Sequence, residues 1–562
     1  MTVHRRIIRT VIALIFVLPI LGTRLGGQER AAGGDVVMSA MSDELNRSMS
    51  ELRLKDLEKP YFVQYVVVDE EEYAGQATFG AITAWNRVKQ RVLHVQVRVG
   101  DYELDNSEFF AGRGESSTAQ LVQAPTDNDY RALRRSLWLA TDSAYKQSVE
   151  ILARKRAFLQ NKFQDDQPPD FSKEAATQSV KARQDLEIDT EDLKQRLRRW
   201  SRLFQEFPEI QGSRIGLVVR LTHRYMMNSE GTRILQPALL VMVEAEASAQ
   251  ASDGMQISQS IPFYAKSFDA LPSSKDIETS IRQMAEELKG VRSASVLKED
   301  YSGPVLLTGS ASPDFFARIL APNLTGQRGP MSDRGPQIAR TSELLDRMNR
   351  PVLPVSMSVY DDPAMQRFGK EPLIGYYDVD DQGVPAQRVS LVDAGILTDL
   401  LMARRPISGH LQSNGHGRSG YPGRETAQIS NLVISTSQGK SYEELKQELI
   451  RLCREERLSY GIVIKTLSQI TSGILPVLAY KVNVEDGQEE MIRGINPAGF
   501  PVRSLRHIQA AGNEMVVANR LMGASGAETP VSVVAPPVLL EEMEWKRASG
   551  AQQRPAILTP PN

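Results

Sequence analysis

The chain has one cysteine, Cys453, in 562 residues, so no internal disulfide can form and stability must come from ordinary packed cores. Histidines are few and scattered: His4, His94, His223, His410, His416 and His507 include no two placed four or five positions apart with an acid between them. A G-x-S-x-G elbow is also missing, which removes the usual hydrolase nucleophile. Net charge is nearly absent, −2 from 67 basic and 69 acidic residues, and the basic clusters are short and helical, so nothing points to nucleic acid. Long apolar runs are lacking too. The run from Val11 to Gly22 is too short to span a bilayer, and no later segment approaches the length of a membrane helix.

What is present begins with that run. His4, Arg5, Arg6 and Arg9 precede it and small residues follow it as far as Gly34, the pattern of a secretory signal peptide, with an uncleaved N-terminal anchor as the alternative. The expectation is an exported chain, periplasmic or extracellular, soluble once processed and without membrane contact beyond this segment. More than 500 residues remain, enough for two or three domains.

The periodicities predict an α+β protein. Residues 1–34 form the signal peptide and a disordered start, and 35–112 an N-terminal α+β domain whose alternating Leu93, Val95, Val97 and Val99 mark antiparallel strands with one buried face. Residues 113–204 are a helical region in which Leu133, Leu137, Ala140, Ala144, Ser148, Ile151 and Leu152 recur at helical spacing, with Lys146, Arg154, Lys155 and Arg156 on the solvated side. A linker near 163–170 breaks that helix, and a charged helix follows from about Glu191 to Phe204. Residues 205–300 are a middle α+β domain, 301–548 a mainly antiparallel, curved or barrel-like β domain, and 549–562 a disordered tail. Cys453 lies on the apolar face of a helix with Leu445, Leu449 and Leu452, where a free thiol packs as a small hydrophobe. His94, His223 and His507 sit in or near strand patterns and read as structural.

The stretch Ser356 to Thr436 carries the specific signal. A strand Ser356–Tyr360 leads into the turn Asp361-Asp362-Pro363, and a strand ends at Tyr377-Asp-Val-Asp-Asp381 before Gly383. Ile396 to Arg404 then enters a polar loop, Ser408 to Gly420, too long for a plain hairpin turn. The acid pairs Asp361/Asp362 and Asp380/Asp381 read as turn formers rather than a catalytic dyad, since neighbours on a strand point to opposite faces.

This order resembles the C-terminal domain of the TldD/PmbA family. Tyr301-Ser-Gly-Pro-Val-Leu-Leu307 is similar to that family's entry strand, Asn228-Ser-Glu-Gly-Thr232 to a turn of its middle domain, and Ile429–Ile434 continues the match. The resemblance covers roughly residues 205 to 545. It implies a division between subunits that carry a metalloprotease helix, H-E-x-x-x-H, and subunits that lack it. By register the two histidines would fall at Ala317 and Pro322 and the glutamate at Arg318. Alanine and proline have no ligand atom and arginine is a permanent cation. The family's cysteine ligand near the C-terminus is likewise missing from Asn519-Arg-Leu-Met-Gly-Ala-Ser-Gly526.

The resemblance therefore implies a PmbA/TldE-like, non-catalytic subunit that needs no metal itself. Its partner would be a TldD-like homologue holding zinc, and the complex would process unfolded peptides held as an added strand. A DNA gyrase modulator label, which the family has carried, fits poorly with an exported and nearly neutral chain. Two alternatives stay open: an active metallopeptidase with a relocated site, using His410 and His416 with a distant carboxylate, or an envelope peptide-binding scaffold. Ser413, Asn414, Gly415, His416 and Arg418 are the candidate substrate-binding residues, because a loop with bare backbone and mixed donors suits an extended peptide.

Overall fold

The computed structural model describes residues 35–55, 57–110, 121–160, 167–332, 342–423, 425–470, 473–523 and 527–548. The expected signal peptide, most of the linker before Gln167 and the C-terminal tail lie outside these residues. The protein is α+β, built from one large sheet covered by helices and a second part made of two open sheets.

The first sheet has seven strands. Its centre is formed by Pro60–Thr78, Gly212–Asn228 and Arg233–Gln250, antiparallel throughout, with Ala81–Val99 outside the first and Gln256–Ala265 outside the last. Pro60–Thr78 pairs directly with Gly212–Asn228, so the strands assigned above to separate N-terminal and middle domains belong to one sheet. Alternation along a strand tells which face is buried but not which distant strand is the partner, and here the partners lie on either side of the helical region.

Four helices cover one face of this sheet. At one end α1 (Val36–Glu51) and α2 (Tyr130–Leu159) bring Val37, Met41, Leu133, Leu137 and Tyr145 onto Val63, Tyr65, Val95 and Val97. At the other, α3 (Thr190–Arg202) and α4 (Ser274–Ser293) set Leu197, Trp200, Ile277 and Ile281 against Ile215, Leu217 and Val243. Asp35, Asp129, Asp189 and Ser273 cap these helices by accepting hydrogen bonds from the first free backbone N–H groups.

Lys155 corrects the reading of α2. It is fully buried rather than solvated, its Nζ donating to the Ser107 carbonyl at 2.7 Å and to Asp170. Four residues on from Ile151 and three from Leu152, it occupies the apolar stripe itself.

In the second part, the strand Tyr301–Leu307 lies between Val538–Arg547, antiparallel to it, and Tyr460–Ile470, parallel to it, within a nine-stranded sheet. A six-stranded sheet holds Met357–Asp361, Asn431–Thr436 and Thr529–Ala535, with Val516–Met522 at its edge. Val305, Ile462 and Ile464 of the one sheet and Val359, Leu391, Ile434 and Val533 of the other share a single core with Phe315 and Phe316 of α5 (Ala311–Ile319). The outer face of the larger sheet is covered by α6 (Tyr442–Glu455), where Leu445, Leu449 and the buried Cys453 meet Val463 and Leu539. Both sheets are open among the described residues, so the curved domain expected here is not a closed barrel.

Candidate functional site

Two places were marked by the sequence: the helix after Tyr301–Leu307 and the loop 408–420. The helix is α5. Ala317 is buried in the shared core, whereas Arg318, the next residue, is exposed. The helix stops at Ile319, and Pro322 is an exposed residue of the 3-10 turn Ala321–Asn323. Ala317 therefore faces the core while Arg318 and Pro322 face solvent, and the last is off the helix. A zinc ion does not fit here, because none of the three side chains offers a ligand and they do not converge.

An ion pair joins this helix to the strand where the cysteine ligand would be expected. Asp314, one turn before Ala317, accepts hydrogen bonds from Arg520 Nε at 2.9 Å and Nη2 at 3.0 Å. Asp314 is buried and Arg520 partly exposed. Burial lifts the Asp314 carboxyl above its usual range, with Arg520 opposing the shift. Met522, on the same strand as Arg520, packs against the core.

In the loop, Ser413, Gly415, His416 and Arg418 are buried and Asn414 is half-buried. Asn414 works as a backbone clamp, its Oδ1 accepting from Met402 N and its Nδ2 donating to the Leu400 carbonyl, both at 2.8 Å. Ser413 Oγ donates to the Met402 carbonyl at 3.1 Å, and Ser413 N donates to Glu174 at 3.1 Å. Gly415 has φ +76°, and a Cβ there would lie 2.2 Å from the Pro385 carbonyl oxygen. Its own carbonyl accepts the Tyr377 hydroxyl at 2.8 Å.

His416 is fully buried, with Nε2 3.1 Å from Asp361 Oδ1 and Nδ1 3.0 Å from the Asn414 carbonyl. The second oxygen of Asp361 accepts Ser430 N at 2.9 Å, and Ser430 Oγ also bonds the carboxylate. Ser430 and His416 both bond to the acid, not to each other, so this is no nucleophile–base chain. His410 meets a different acid, its Nε2 3.3 Å from Asp399 Oδ1. No three His, Cys, Asp or Glu side chains among the described residues group in a way that could hold a metal ion.

Asp380 and Asp381 do more than form turns. Asp380 accepts Gln382 N and Val384 N at 2.9 Å and Gly417 N at 2.8 Å, tying the acidic turn to the loop. Burial lifts its carboxyl to about 7 against those three donors. Asp381 accepts Ser419 N at 2.8 Å and lies 3.5 Å from Arg418 Nε. Arg418 stacks its guanidinium 4.2 Å from the centre of the Tyr377 ring, and its Nη1 has no hydrogen-bond partner among the described residues. Nothing in the sequence pattern marks the Asp314–Arg520 pair, whose members lie in a helix and a distant strand. Asp361 was visible, but its pairing with a histidine in a distant loop was not.

Residues 301–547 match the family model of the PmbA/TldA metallopeptidase C-terminal domain. A metalloprotease of Archaeoglobus fulgidus is 27% identical over 197 residues, 35% of this chain and 44% of that protein. A metalloprotease of Methanothermobacter thermautotrophicus is 24% identical over 325 residues, 56% of this chain and 64% of that protein. The matches thus span less than two thirds of either relative. Among solved structures, TldE from Thermococcus kodakarensis has the same fold at a TM-score of 0.57 and 14% identity, covering 90% of this chain and all of that one.

Proposed function

Because this chain belongs to the TldD/PmbA family, a group related to metalloproteases, we propose that it is a non-catalytic subunit of an exported TldD/PmbA-type peptidase complex. Its partner is a TldD-like chain that carries the metal helix, and the complex acts on unfolded peptides. The observation that carries this reading is α5: Ala317 lies in the core, Arg318 and Pro322 face solvent, and Asp314 is taken up by Arg520. A helix so arranged supplies neither ligand nor general base, but it still closes the core between two sheets, as a subunit building one side of a chamber requires.

A relocated metal site at His410 and His416 is disfavoured, because the two rings meet different acids, Asp399 and Asp361, and no three His, Cys, Asp or Glu side chains among the described residues converge. The loop candidates take a changed role. Ser413, Asn414, Gly415 and His416 hold the loop's shape, and Arg418 keeps a side-chain nitrogen, Nη1, with no hydrogen-bond partner among the described residues.

The experiment pairs the purified chain with a metal-bearing homologue from the same organism and follows cleavage of an unfolded, fluorogenic peptide. This reading predicts no cleavage by the chain alone, with or without added zinc. It predicts cleavage by the mixture that disappears when the homologue's motif glutamate is replaced. Cleavage by the isolated chain would overturn it.

A further inference from the structure

Arg418 does not stand alone. Lys266 follows directly on the strand Gln256–Ala265, its Nζ lying 3.9 Å from the centre of the Tyr376 ring and donating to the Tyr376 carbonyl. Tyr376 and Tyr377 are neighbours in sequence, and each ring carries a cation. Burial and then the nearby Arg418 charge bring the Lys266 ammonium down to about 7, against the opposing pull of Asp378 and Asp381.

Most of the surrounding cations have carboxylate partners. Lys181 pairs with Asp378, Arg418 lies 3.5 Å from Asp381, and Arg224 lies 3.5 Å from Asp381 and 3.4 Å from Glu425. Lys266 itself makes no ion pair among the described residues. Arg418 is only 8% exposed and still has Nη1 without a partner among the described residues, an arrangement that costs free energy unless a ligand supplies the acceptor. An arginine fork beside a lysine suits a carboxylate.

We infer that Arg418 and Lys266, backed by Tyr376 and Tyr377, form a binding site for a carboxylate group of an extended peptide, either its C-terminus or an acidic side chain. The peptide as carrier rests on the function proposed above; the carboxylate follows from the cluster itself. The neighbouring strand Gln256–Ala265 pairs on one side with Arg233–Gln250 and pairs with no other described strand, although Gly473–Asn483 and Val516–Met522 pack close to it, so its unpaired backbone groups are the ones an extended chain would meet. None of the five loop residues singled out from the sequence includes Lys266, which the fold brings in from the other sheet.

The test follows modification of Lys266 in the full chain by an amine-reactive ester, read by peptide mass spectrometry. Three unstructured N-acetylated octapeptides are compared: a free acid without acidic side chains, its C-terminal amide, and an amide with one internal glutamate. Succinate is the fourth probe. The free acid, the glutamate peptide or both should slow labelling about tenfold more than the plain amide, the factor that losing one charge-assisted hydrogen bond brings. Protection by one alone identifies the source of the carboxylate. Arg418→Gln should abolish the difference, with circular dichroism as the check on folding. Should it fail to fold, Lys266→Met is read by fluorescence anisotropy of the same labelled peptides.

Equal protection by free acid, glutamate peptide and plain amide would overturn the carboxylate site and leave the peptide-holding function standing. Protection by succinate with none from any peptide would support the site and remove the peptide as its ligand. No protection by any probe would overturn the inference.

Discussion

Asp314 and Arg520 meet through two hydrogen bonds of 2.9 and 3.0 Å, with the acid 1% and the arginine 18% exposed. A carboxylate taken so far out of water depends on its partner, and removing one member of a buried pair costs about 3–5 kcal/mol. Arg520→Met should lower the stability measured in urea by an amount near that range. The double variant Asp314→Leu with Arg520→Met should recover much of the loss, because no unpaired charge is left. Additive losses in the two single variants and the double would contradict the pairing. Asp105 gives a second test, through pH. Burial opposes its ionisation, but Arg98, Ser107 and Tyr61 outweigh burial and hold its carboxyl below the usual range. A lowered folded pKa contributes stability above the unfolded value, about 3.9 for an aspartate, and loses it as pH falls through the folded value. The gap in urea midpoint between the wild type and Asp105→Asn should therefore narrow below about pH 4. A gap that stays constant from pH 7 to 3 would count against this account.

At the scale of elements, the loop 408–420 behaves as packed structure. Asn414→Ala removes both clamps on the Leu400–Met402 backbone and leaves the buried Met402 N–H without its side-chain acceptor, which should cost about 1–3 kcal/mol. Gly415→Ala must force a left-handed φ and move the Pro385 carbonyl, so it should destabilise at least as much. Unchanged thermal midpoints in both variants would return the loop to the class of open binding segments.

The loop's composition is what misled: glycine, asparagine and serine suit an exposed binding loop and a tight buried turn equally well. The helices were easier to read. Ser441 with Glu444 forms the capping box that starts α6, and Leu445, Leu449, Leu452 and Cys453 mark its buried face. Lys155 was misread because Arg154 and Arg156 flank it, although its spacing from Ile151 and Leu152 already put it on the buried stripe of α2.

For the whole molecule, sequence periodicity identified strands and buried faces but not the long-range pairing that merges two expected domains into one sheet. The same long-range geometry joins the two parts of the protein. Arg404, 2% exposed, extends from the C-terminal part to form two hydrogen bonds of 2.8 Å with Glu230, in the hairpin turn of the first sheet, and others to the Ser172 carbonyl. Its guanidinium lies 3.9 Å from the centre of the Phe171 ring, and that of Arg98 lies 3.6 Å from the same ring. Beside it Asp170 joins Lys155 of α2 to Arg328 of the C-terminal part. Arg404→Met should weaken the join by about 3–5 kcal/mol and make hydrogen exchange around residues 230 and 172 faster than in the two cores. Exchange that changes uniformly across the chain would contradict a local clasp.

The central claim is that this chain supplies structure and peptide contact to a metallopeptidase complex while holding no metal. Elemental mass spectrometry of the purified chain, equilibrated with zinc and then dialysed, tests it most directly. The account predicts no zinc above the level of a metal-free control protein. A stoichiometric zinc that survives dialysis and is lost in His410→Ala or His416→Ala would contradict it and establish a metal site away from α5.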